Sequence, residues 1–330
     1  MLLNILSFTI FKLILQLINF FLKTYNSISD YKTKEKSIVT IGTFDGVHVG
    51  HKHILEKLIL NAKEHKCESL VLTFFPHPKM VLQETSDVKL LNTMDEKNYL
   101  LDKIGIDNLV IHPFDKEFSR LTAEEFVKNI LVEKFNVQKI IIGYDHRFGR
   151  NRTADINDLV LYGKKYNFEV EEISAQEVND IAVSSTKIRN AIQDGNITLA
   201  NNYLGYNYFF SGKIIKGNQL GRTIGFPTAN IFIEEEYKLI PKNGVYIVNC
   251  LVKNKSVNGI MNIGNRPTIS DNKTTIEVYL LDFEDDIYEQ NIIVNILNYF
   301  RDEEKFNSLE DLKKQLKLDK KTAIKYFIKL

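Results

Sequence analysis

The first half of the chain takes its fold from one stretch, Thr40-Ile41-Gly42-Thr43-Phe44-Asp45-Gly46-Val47-His48-Val49-Gly50-His51. The apolar run from Ser37 to Thr43 predicts a buried β-strand that ends in a tight turn. A helix is predicted to follow from about Gly50 to His65. In such a strand–turn–helix arrangement, the free N–H groups at the start of the helix favour a bound phosphate group.

Two histidines stand at the start of this predicted helix, His48 and His51, separated by Val49 and Gly50. Gly50 lets a triphosphate approach the backbone closely, and both imidazoles can donate hydrogen bonds to phosphate oxygens as negative charge builds up. The histidines could instead be a pair of metal ligands or two caps of the helix, and both alternatives remain open. The preceding turn supplies further candidates for nucleotide binding: Gly42, Thr43, Phe44 and Asp45.

Strands and helices alternate from this stretch onward, which predicts a parallel α/β sheet. Further strands are predicted at Ser69–Phe75, Lys139–Gly143 and Phe168–Ile173. Helices are predicted at Thr122–Lys134, from Ser184 or Ser185 to Gln193, and on to about Tyr203.

Three more segments are predicted to meet the histidines at one edge of this sheet, because open α/β sheets bind ligands beyond the carboxyl ends of their strands. Two follow predicted strands and contain His77, Pro78 and the run Gly143–Arg150. The third opens a helix, where hydroxyl and N–H groups suit a phosphate and an arginine adds a charged fork. Its residues are Ser184, Ser185, Thr186 and Arg189. Considered singly, Ser184 could be a helix cap, Arg189 a solvated side chain and His77 an ordinary loop histidine.

After Gly205 the pattern changes to short β-branched or aromatic runs separated by turns, which is typical of a small barrel or sandwich. We therefore place the domain boundary near residues 203–207. The predicted strands are Tyr208–Ile215, Gly244–Val252, Ser256–Ile263, Thr275–Asp282 and Ile292–Phe300, with a closing helix at Ser308–Leu318.

A glycine-rich segment, Gly217–Asn230, is the strongest signal of the second half. Thr228 and Asn230 lie two residues apart, so on an extended chain both side chains point the same way. Their neutral oxygens suit a Mg²⁺ ion that also binds ATP phosphates. An ordinary glycine-rich turn is the alternative, and the chain contains no GxxxxGK[ST] loop. The segment's remaining candidates for phosphate binding are Gly217, Gly221, Gly225 and Pro227.

Glu277 is a lone carboxylate in an apolar-rich strand. Burial there would raise its pKa toward that of a general base, whereas an outward-facing strand residue would have no such role. Loops of the same half contain further candidates for ligand contacts: Asn262, Arg266, Arg301 and Glu303.

Length and composition limit the class of protein. A chain of 330 residues with 44% hydrophobic and 26% charged residues is globular and long enough for two domains. Lys plus Arg is 43 and Asp plus Glu is 42, so the chain lacks the basic excess of a nucleic-acid binder. The two cysteines, Cys67 and Cys250, form no CxxC motif, which predicts a reduced, cytoplasmic protein.

The first 22 residues differ from the rest. Leu2–Leu22 is mostly apolar, but Lys12, Gln16, Asn19 and Lys23 recur at helical spacing and form one polar stripe. Three interpretations remain open: an interfacial amphipathic helix, a membrane span, and translated upstream sequence that is not native to the folded protein. We favour the last, and we expect membrane contact only if this segment belongs to the native protein.

Together, these motifs resemble the bacterial bifunctional riboflavin kinase/FAD synthetase family, and the resemblance extends from Ser37 nearly to the end of the chain. It implies a Rossmann-like HxGH nucleotidylyltransferase domain at 37–204 and a small β-barrel riboflavin kinase domain, with a closing helix, at 206–330. The implied reactions are riboflavin plus ATP to FMN, and FMN plus ATP to FAD and pyrophosphate, both with Mg²⁺. A homo-oligomer is compatible with the sequence.

The resemblance also implies roles for the candidate residues. His48 and His51 would face the triphosphate, Ser184, Ser185 and Arg189 would grip it, and Asp145 would lie near the adenosine or the metal. Glu277 would accept the proton of riboflavin's terminal hydroxyl, while Thr228 and Asn230 would coordinate Mg²⁺. The predicted flavin contacts are His77, Pro78, Asn262, Arg266, Arg301 and Glu303. The chain departs from the family's usual residues at Thr43, His146, Ala154 and Tyr279.

Overall fold

A computed structural model describes residues 22–32, 34–83, 87–143, 146–174, 183–217, 220–267 and 272–329. These residues form two compact units. The first contains the described residues as far as Val88 and those from Lys97 to Ser174. The second contains Lys89–Glu96 and the described residues from Val183 onward. The first unit contains a parallel sheet with helices and the second a closed barrel, which confirms the predicted fold class.

Within the described residues, the first unit has a parallel sheet of six strands: β1 Lys23–Tyr25, β2 Ser37–Ile41, β3 Glu68–Phe74, β4 Asn108–His112, β5 Val137–Gly143 and β6 Glu169–Ile173. Their order in the sheet is β1-β4-β3-β2-β5-β6. From β2 the chain adds β3 and β4 on one side and β5 and β6 on the other, so its direction reverses between β2 and β5. Such a switch point leaves a crevice beyond the strand ends where ligands bind.

Helices cover this sheet. The segment predicted as one helix from Thr122 begins with a capping box between Thr122 and Glu125 and then widens into a π-helix, Phe126–Val132. The α-helices are α1 Val49–His65, α2 Pro78–Leu82, α3 Met94–Ile104, α4 Ala123–Glu125 and α5 Ile156–Tyr166. Short 3₁₀-helices lie at Ile28–Asp30, Phe118–Arg120 and Arg150–Arg152.

The second unit contains a closed antiparallel barrel of six strands: β7 Phe209–Ile215, β8 Ala229–Phe232, β9 Gly244–Val252, β10 Lys255–Pro267, β11 Asn272–Leu280 and β12 Asn291–Arg301. Their order in the barrel is β10-β11-β8-β7-β12-β9. The predicted strand Gly244–Val252 has those bounds in the structure, and the other predicted barrel strands differ by a few residues at their ends. One barrel strand, β8, was not predicted.

Two helices that precede the barrel in sequence, α6 Ser185–Gln193 and α7 Ile197–Leu204, belong to the same compact unit. Their apolar side chains, including Ile188 and Leu204, share one buried cluster with Phe210 and other barrel residues. The compact units divide before Val183, because the apolar faces of both helices pack in the cluster of the barrel. The boundary near residues 203–207 that the sequence pattern gives for the two functional domains stays a prediction.

Two further helices follow, α8 Leu220–Thr223 and α9 Leu309–Ile328. Ser308 caps α9 as predicted, but the helix runs ten residues beyond the expected end at Leu318. The added turns bring Ala323 and Phe327 against Val245 of the barrel and its neighbours, and this packing stabilises a segment whose sequence is largely polar.

A buried ion pair joins Lys89–Glu96 to the barrel. The Lys238 ammonium donates to Glu96 Oε2 at 2.5 Å and to the carbonyls of Leu91 and Phe209. The other carboxylate oxygen of Glu96 accepts from the backbone N–H of Ser211 at 2.8 Å. Both charged side chains are almost fully buried, so each depends on the other for compensation.

No helix among the described residues combines the length and the hydropathy that a membrane span requires. Residues 1–21 of the apolar segment lie outside the described residues, and so do the interpretations that concern them. Leu22 is described, and its backbone N–H donates to Asp102 Oδ1 at 3.1 Å.

Candidate active sites

The histidine motif lies at the switch point of the parallel sheet, directly after β2. His48 is the N-cap of α1, and its Nδ1 accepts from the backbone N–H of His51 at 3.4 Å. The imidazole rings of His48 and His51 stack at 3.6 Å between centroids with an angle of 17° between their planes. The capping geometry and the pairing of the two rings are therefore both present.

Both imidazoles are held neutral. Burial lowers the pKa of His48 to about 4, against the opposite influence of the Asp45 carboxylate. Burial also lowers the pKa of His51 well below its usual value, and the nearby His48 and Lys97 add to this effect. Because Nδ1 of His48 accepts a hydrogen bond, its proton resides on Nε2, which makes that nitrogen a donor.

The turn between β2 and α1 has an unusual backbone. Phe44, Gly46 and Val47 have φ angles of 45°, 88° and 36°, in the left-handed region that costs non-glycine residues about 1–3 kcal/mol each. The turn is fixed at its start, where Gly42 donates to the carbonyl of Leu72 at 3.1 Å. The ring of Phe44 contacts that of His51 edge-on at 5.1 Å. Such strain persists only where the surroundings determine the conformation, as at a functional site.

The other predicted nucleotide contacts near β2 are buried or partly exposed, and two further predicted contacts follow β3. Asp45 is 1% exposed, Gly50 is buried in the first turn of α1, and Thr43 is partly exposed. His77 and Pro78 begin α2 beyond β3, where Nδ1 of His77 accepts from the N–H of Lys79 at 3.1 Å.

Sequence reasoning missed an aromatic cluster at the carboxyl ends of β3 and β4. The ring of Phe118 lies 4.6 Å from that of His112, 5.5 Å from that of Phe74 and 5.9 Å from that of Phe114. All four side chains are partly exposed, so the cluster offers an apolar surface beside the switch point. With 21 phenylalanines in the chain, spacing alone gave no signal that these rings meet.

The loop after β5 is described only in part. Asp145 lies outside the described residues, so its role near the adenosine or the metal stays a prediction. The ring of His146 lies parallel to that of Phe148, with 6.2 Å between centroids.

The predicted phosphate-binding helix start is well formed. Ser184 caps α6 by accepting from the N–H of Lys187 at 3.3 Å, while Ser185 and Thr186 form the first turn. Nε of Arg189 donates to the carbonyl of Lys89 at 2.8 Å. These residues belong to the second compact unit, so a joint grip with the histidines on one triphosphate stays a prediction.

A second candidate site lies on the outer face of the barrel. Strand pairing places Glu277 of β11 directly opposite Asn230 of β8 on one side and Asn262 of β10 on the other. The neighbouring residues Ile276 and Val278 point into the core, so this row of three polar side chains faces outward.

Glu277 is therefore the outward-facing strand residue that the sequence allowed as an alternative, and it is half-buried. Its carboxylate is nonetheless in contact with another predicted site residue. The Thr228 hydroxyl donates to Glu277 Oε2 at 3.0 Å, which brings the predicted base and a predicted metal ligand together.

Gly217 of the glycine-rich segment packs against this row. A Cβ atom at Gly217 would collide with the side-chain amide of Asn230, so a larger residue there would require the amide to move. Gly221 lies in α8 against the carbonyl of Phe226, Gly225 has φ 83°, and Pro227 is exposed.

Four of the predicted flavin contacts, Asn262, Arg266, Arg301 and Glu303, belong to the barrel unit. Arg301 makes a bidentate ion pair with Asp319 of α9, with N···O distances of 3.2 and 2.7 Å, so its guanidinium is held by the closing helix. The Glu303 carboxylate lies against Gly264 of β10, two residues from Asn262. The side chain of Arg266 lies outside the described residues. Asp319 was missed because the helix was predicted to end before it.

Two family models match the two halves of the chain separately. A family model for FAD synthetase matches residues 30–187, and a model for riboflavin kinase matches residues 204–327. The bifunctional riboflavin kinase/FMN adenylyltransferase of Listeria monocytogenes is 38% identical over 304 residues, which cover 92% of this chain and 96% of the relative. The chain belongs to the bifunctional riboflavin kinase/FMN adenylyltransferase family.

Further relatives support this placement. The family member from Escherichia coli K12 is 35% identical over 295 residues, covering 89% of this chain and 94% of the relative. The fold also has a counterpart among solved structures. A crystal structure described as a macrolide-efflux protein from Streptococcus pneumoniae matches 92% of this chain and 98% of its own, with a TM-score of 0.84 and 30% identity. The riboflavin kinase/FMN adenylyltransferase family predicted from the motifs is therefore confirmed.

For this family member we expect stability to fall as the pH drops from about 6.5 to about 4. Unfolded His48 takes up a proton near pH 6.5 and folded His48 only near pH 4, so acid favours the unfolded chain across that window. The difference of about 2.5 pH units corresponds to about 3 kcal/mol. Urea unfolding between pH 7 and pH 4 should show this extra loss relative to His48→Asn, whose amide caps the helix without titrating. Equal losses in the two proteins would contradict the assignment.

Proposed function

We propose that this chain phosphorylates riboflavin to FMN on the barrel and adenylylates FMN to FAD on the parallel-sheet unit. The observation that carries the proposal is that each unit has its own set of reactive side chains. The Glu277–Thr228 hydrogen bond lies in one unit, and the stacked neutral pair His48 and His51 lies in the other. A single activity, or flavin binding without turnover, would not need both sets.

In the kinase reaction, Glu277 accepts the proton of riboflavin's terminal hydroxyl as that oxygen attacks the γ-phosphorus of ATP. ADP leaves, and the new phosphate ester is FMN. Thr228 holds the carboxylate through its hydroxyl, which fixes the position of the base.

The residues around Glu277 fit a magnesium ion that is bound jointly with ATP. Asn230 lies beside the carboxylate on the barrel, and Thr228 donates a hydrogen bond to that carboxylate, so both can supply neutral oxygens next to it. Mg²⁺ is commonly held by one or two protein groups plus substrate phosphates. Within the described residues, no group of three or more His, Cys, Asp and Glu side chains could hold a metal by itself. When bound, the ion would neutralise charge on the phosphates.

In the adenylylation reaction, a phosphate oxygen of FMN attacks the α-phosphorus of ATP in line, and pyrophosphate leaves. No protein nucleophile is required. Nε2–H of His48 and the imidazole of His51 donate to the triphosphate oxygens, beside the positive end of α1. The aromatic cluster around Phe118 offers an apolar surface for the flavin ring at the same edge of the sheet.

The test is to incubate the purified chain with riboflavin, ATP and Mg²⁺ and to separate the flavins by chromatography over time. FMN should rise first and then give way to FAD. A parallel incubation with FMN tests the second step alone, and EDTA should stop both. FMN without FAD would limit the function to the kinase, and bound flavin without product would favour a flavin sensor or carrier.

We expect the chain without residues 1–22 to keep both activities within about twofold. The deletion removes the Leu22 hydrogen bond to Asp102 but retains β1, which pairs with β4 from Lys23 onward. An exposed hydrogen bond contributes about 1 kcal/mol. Activity measurements on the folded, truncated protein check this, and loss of either activity would show that the segment is functional.

A cytoplasmic location is part of the proposal. Cys67 and Cys250 are both free, as expected in a reducing compartment. The expected partners are small molecules, riboflavin, FMN and ATP.

A further inference from the structure

One buried cation, Lys97, has no role in the mechanism above. It lies near the start of α3 and is 3% exposed. Its ammonium donates to the carbonyl oxygen of Thr43 at 2.7 Å. Thr43 belongs to the turn that leads to the histidine pair, so a buried lysine contacts the backbone of the nucleotide-binding loop.

The carbonyl of Thr43 is held from two sides. Besides Lys97, the Thr73 hydroxyl at the end of β3 donates to the same oxygen at 3.3 Å. Three of the next four residues, Phe44, Gly46 and Val47, have positive φ angles. A backbone in this region relaxes unless neighbouring groups fix it, so these two hydrogen bonds are positioned to maintain the turn.

Lys97 also contributes charge. Asp45 is the nearby carboxylate, and it raises the pKa of both Lys97 and His48. Burial lowers the pKa of Lys97 to about 8, so the ammonium is charged at neutral pH. That positive charge in turn lowers the pKa of His51.

We propose that Lys97 is a positioning residue for nucleotidyl transfer, which fixes the Thr43 carbonyl and the left-handed turn and places a positive charge behind the two histidines. This role rests on the adenylylation proposed above. Lys97 acts through the loop and the imidazoles, and no covalent step involves it.

The experiment compares Lys97→Met with Thr73→Val in the full-length protein. The first removes a hydrogen bond and a charge, whereas the second removes only a hydrogen bond to the same oxygen. For FAD formation from FMN, kcat should fall about 100-fold in Lys97→Met, with a smaller change in the KM for ATP. In Thr73→Val it should fall about fivefold. Riboflavin phosphorylation should be unchanged in both, which shows that the barrel is intact, and the circular dichroism spectrum and thermal unfolding of each protein show whether the sheet unit is folded.

A second readout separates positioning from simple stabilisation. NMR titration of the His51 imidazole should move to higher pH in Lys97→Met, because a positive charge is gone, and should stay unchanged in Thr73→Val. A folded Lys97→Met protein with wild-type FAD formation, or with an unshifted His51 titration, would overturn the proposal. If Lys97→Met does not fold, Lys97→Gln tests the charge alone, because it removes the charge but keeps a donor, and its His51 titration should also move to higher pH.

The two proposals fail in different ways. If the wild-type chain makes no FAD, the adenylylation proposal is overturned, while the His51 titration still decides whether Lys97 controls the histidine pair.

Discussion

Glu277→Gln is expected to reduce FMN formation from riboflavin by about 10³-fold while FAD formation from supplied FMN continues at the wild-type rate. Glutamine has nearly the same shape, and its amide oxygen can still accept from the Thr228 hydroxyl. It cannot take up the proton of the attacking hydroxyl. The expected loss is therefore in kcat, with little change in the KM for riboflavin or ATP.

The measurement is the initial rate of each reaction, with riboflavin and FMN as separate substrates. Glu284→Gln is a matched control, because it makes the same chemical change at an exposed carboxylate beyond the end of β11 and should leave both rates unchanged. Loss of both activities together in a folded Glu277→Gln protein would refute the independence of the two sites.

His51→Ala is expected to have the converse effect, lowering FAD formation by about 10²- to 10³-fold and leaving FMN formation intact. The substitution removes one phosphate donor and the ring that stacks on His48 at 3.6 Å. The backbone N–H of residue 51 remains, so the helix cap by His48 is preserved.

His53→Ala provides the control, since it removes an imidazole two residues further along α1 to which no role is assigned. His51→Gln keeps more of the side-chain volume and guards against a loss that comes only from a cavity. A folded His51→Ala protein that makes FAD at the wild-type rate would remove the histidine pair from the mechanism.

The sequence predicted those parts of the sites that depend on local order. The strand, turn and helix around His48 and His51 follow one another along the chain, so periodicity and glycine spacing were enough to place both imidazoles together. Thr228 and Asn230 could likewise be assigned to one face from their spacing of two.

The parts that depend on pairing between distant segments could not be predicted. The contact between Thr228 and Glu277 requires β8 and β11 to pair in one register, and residues 49 positions apart give no local sign of it. Lys97 was missed because α3 has a mostly polar sequence, and its burial arises only from the tertiary fold. Arg301 was singled out from the sequence, but its partner was not. Its ion pair with Asp319 depends on the part of α9 that continues beyond the predicted end, where the helix packs on the barrel.

The buried pair of Glu96 and Lys238 has a consequence for dissecting the protein. Lys89–Glu96 lies far from the barrel in sequence but supplies the carboxylate that compensates a barrel lysine. Expression of residues 205–330 alone would remove Glu96 and leave Lys238 in the core without its counter-charge. We therefore expect the isolated kinase half to unfold more readily than the same half in the whole chain, unless position 238 carries a neutral residue.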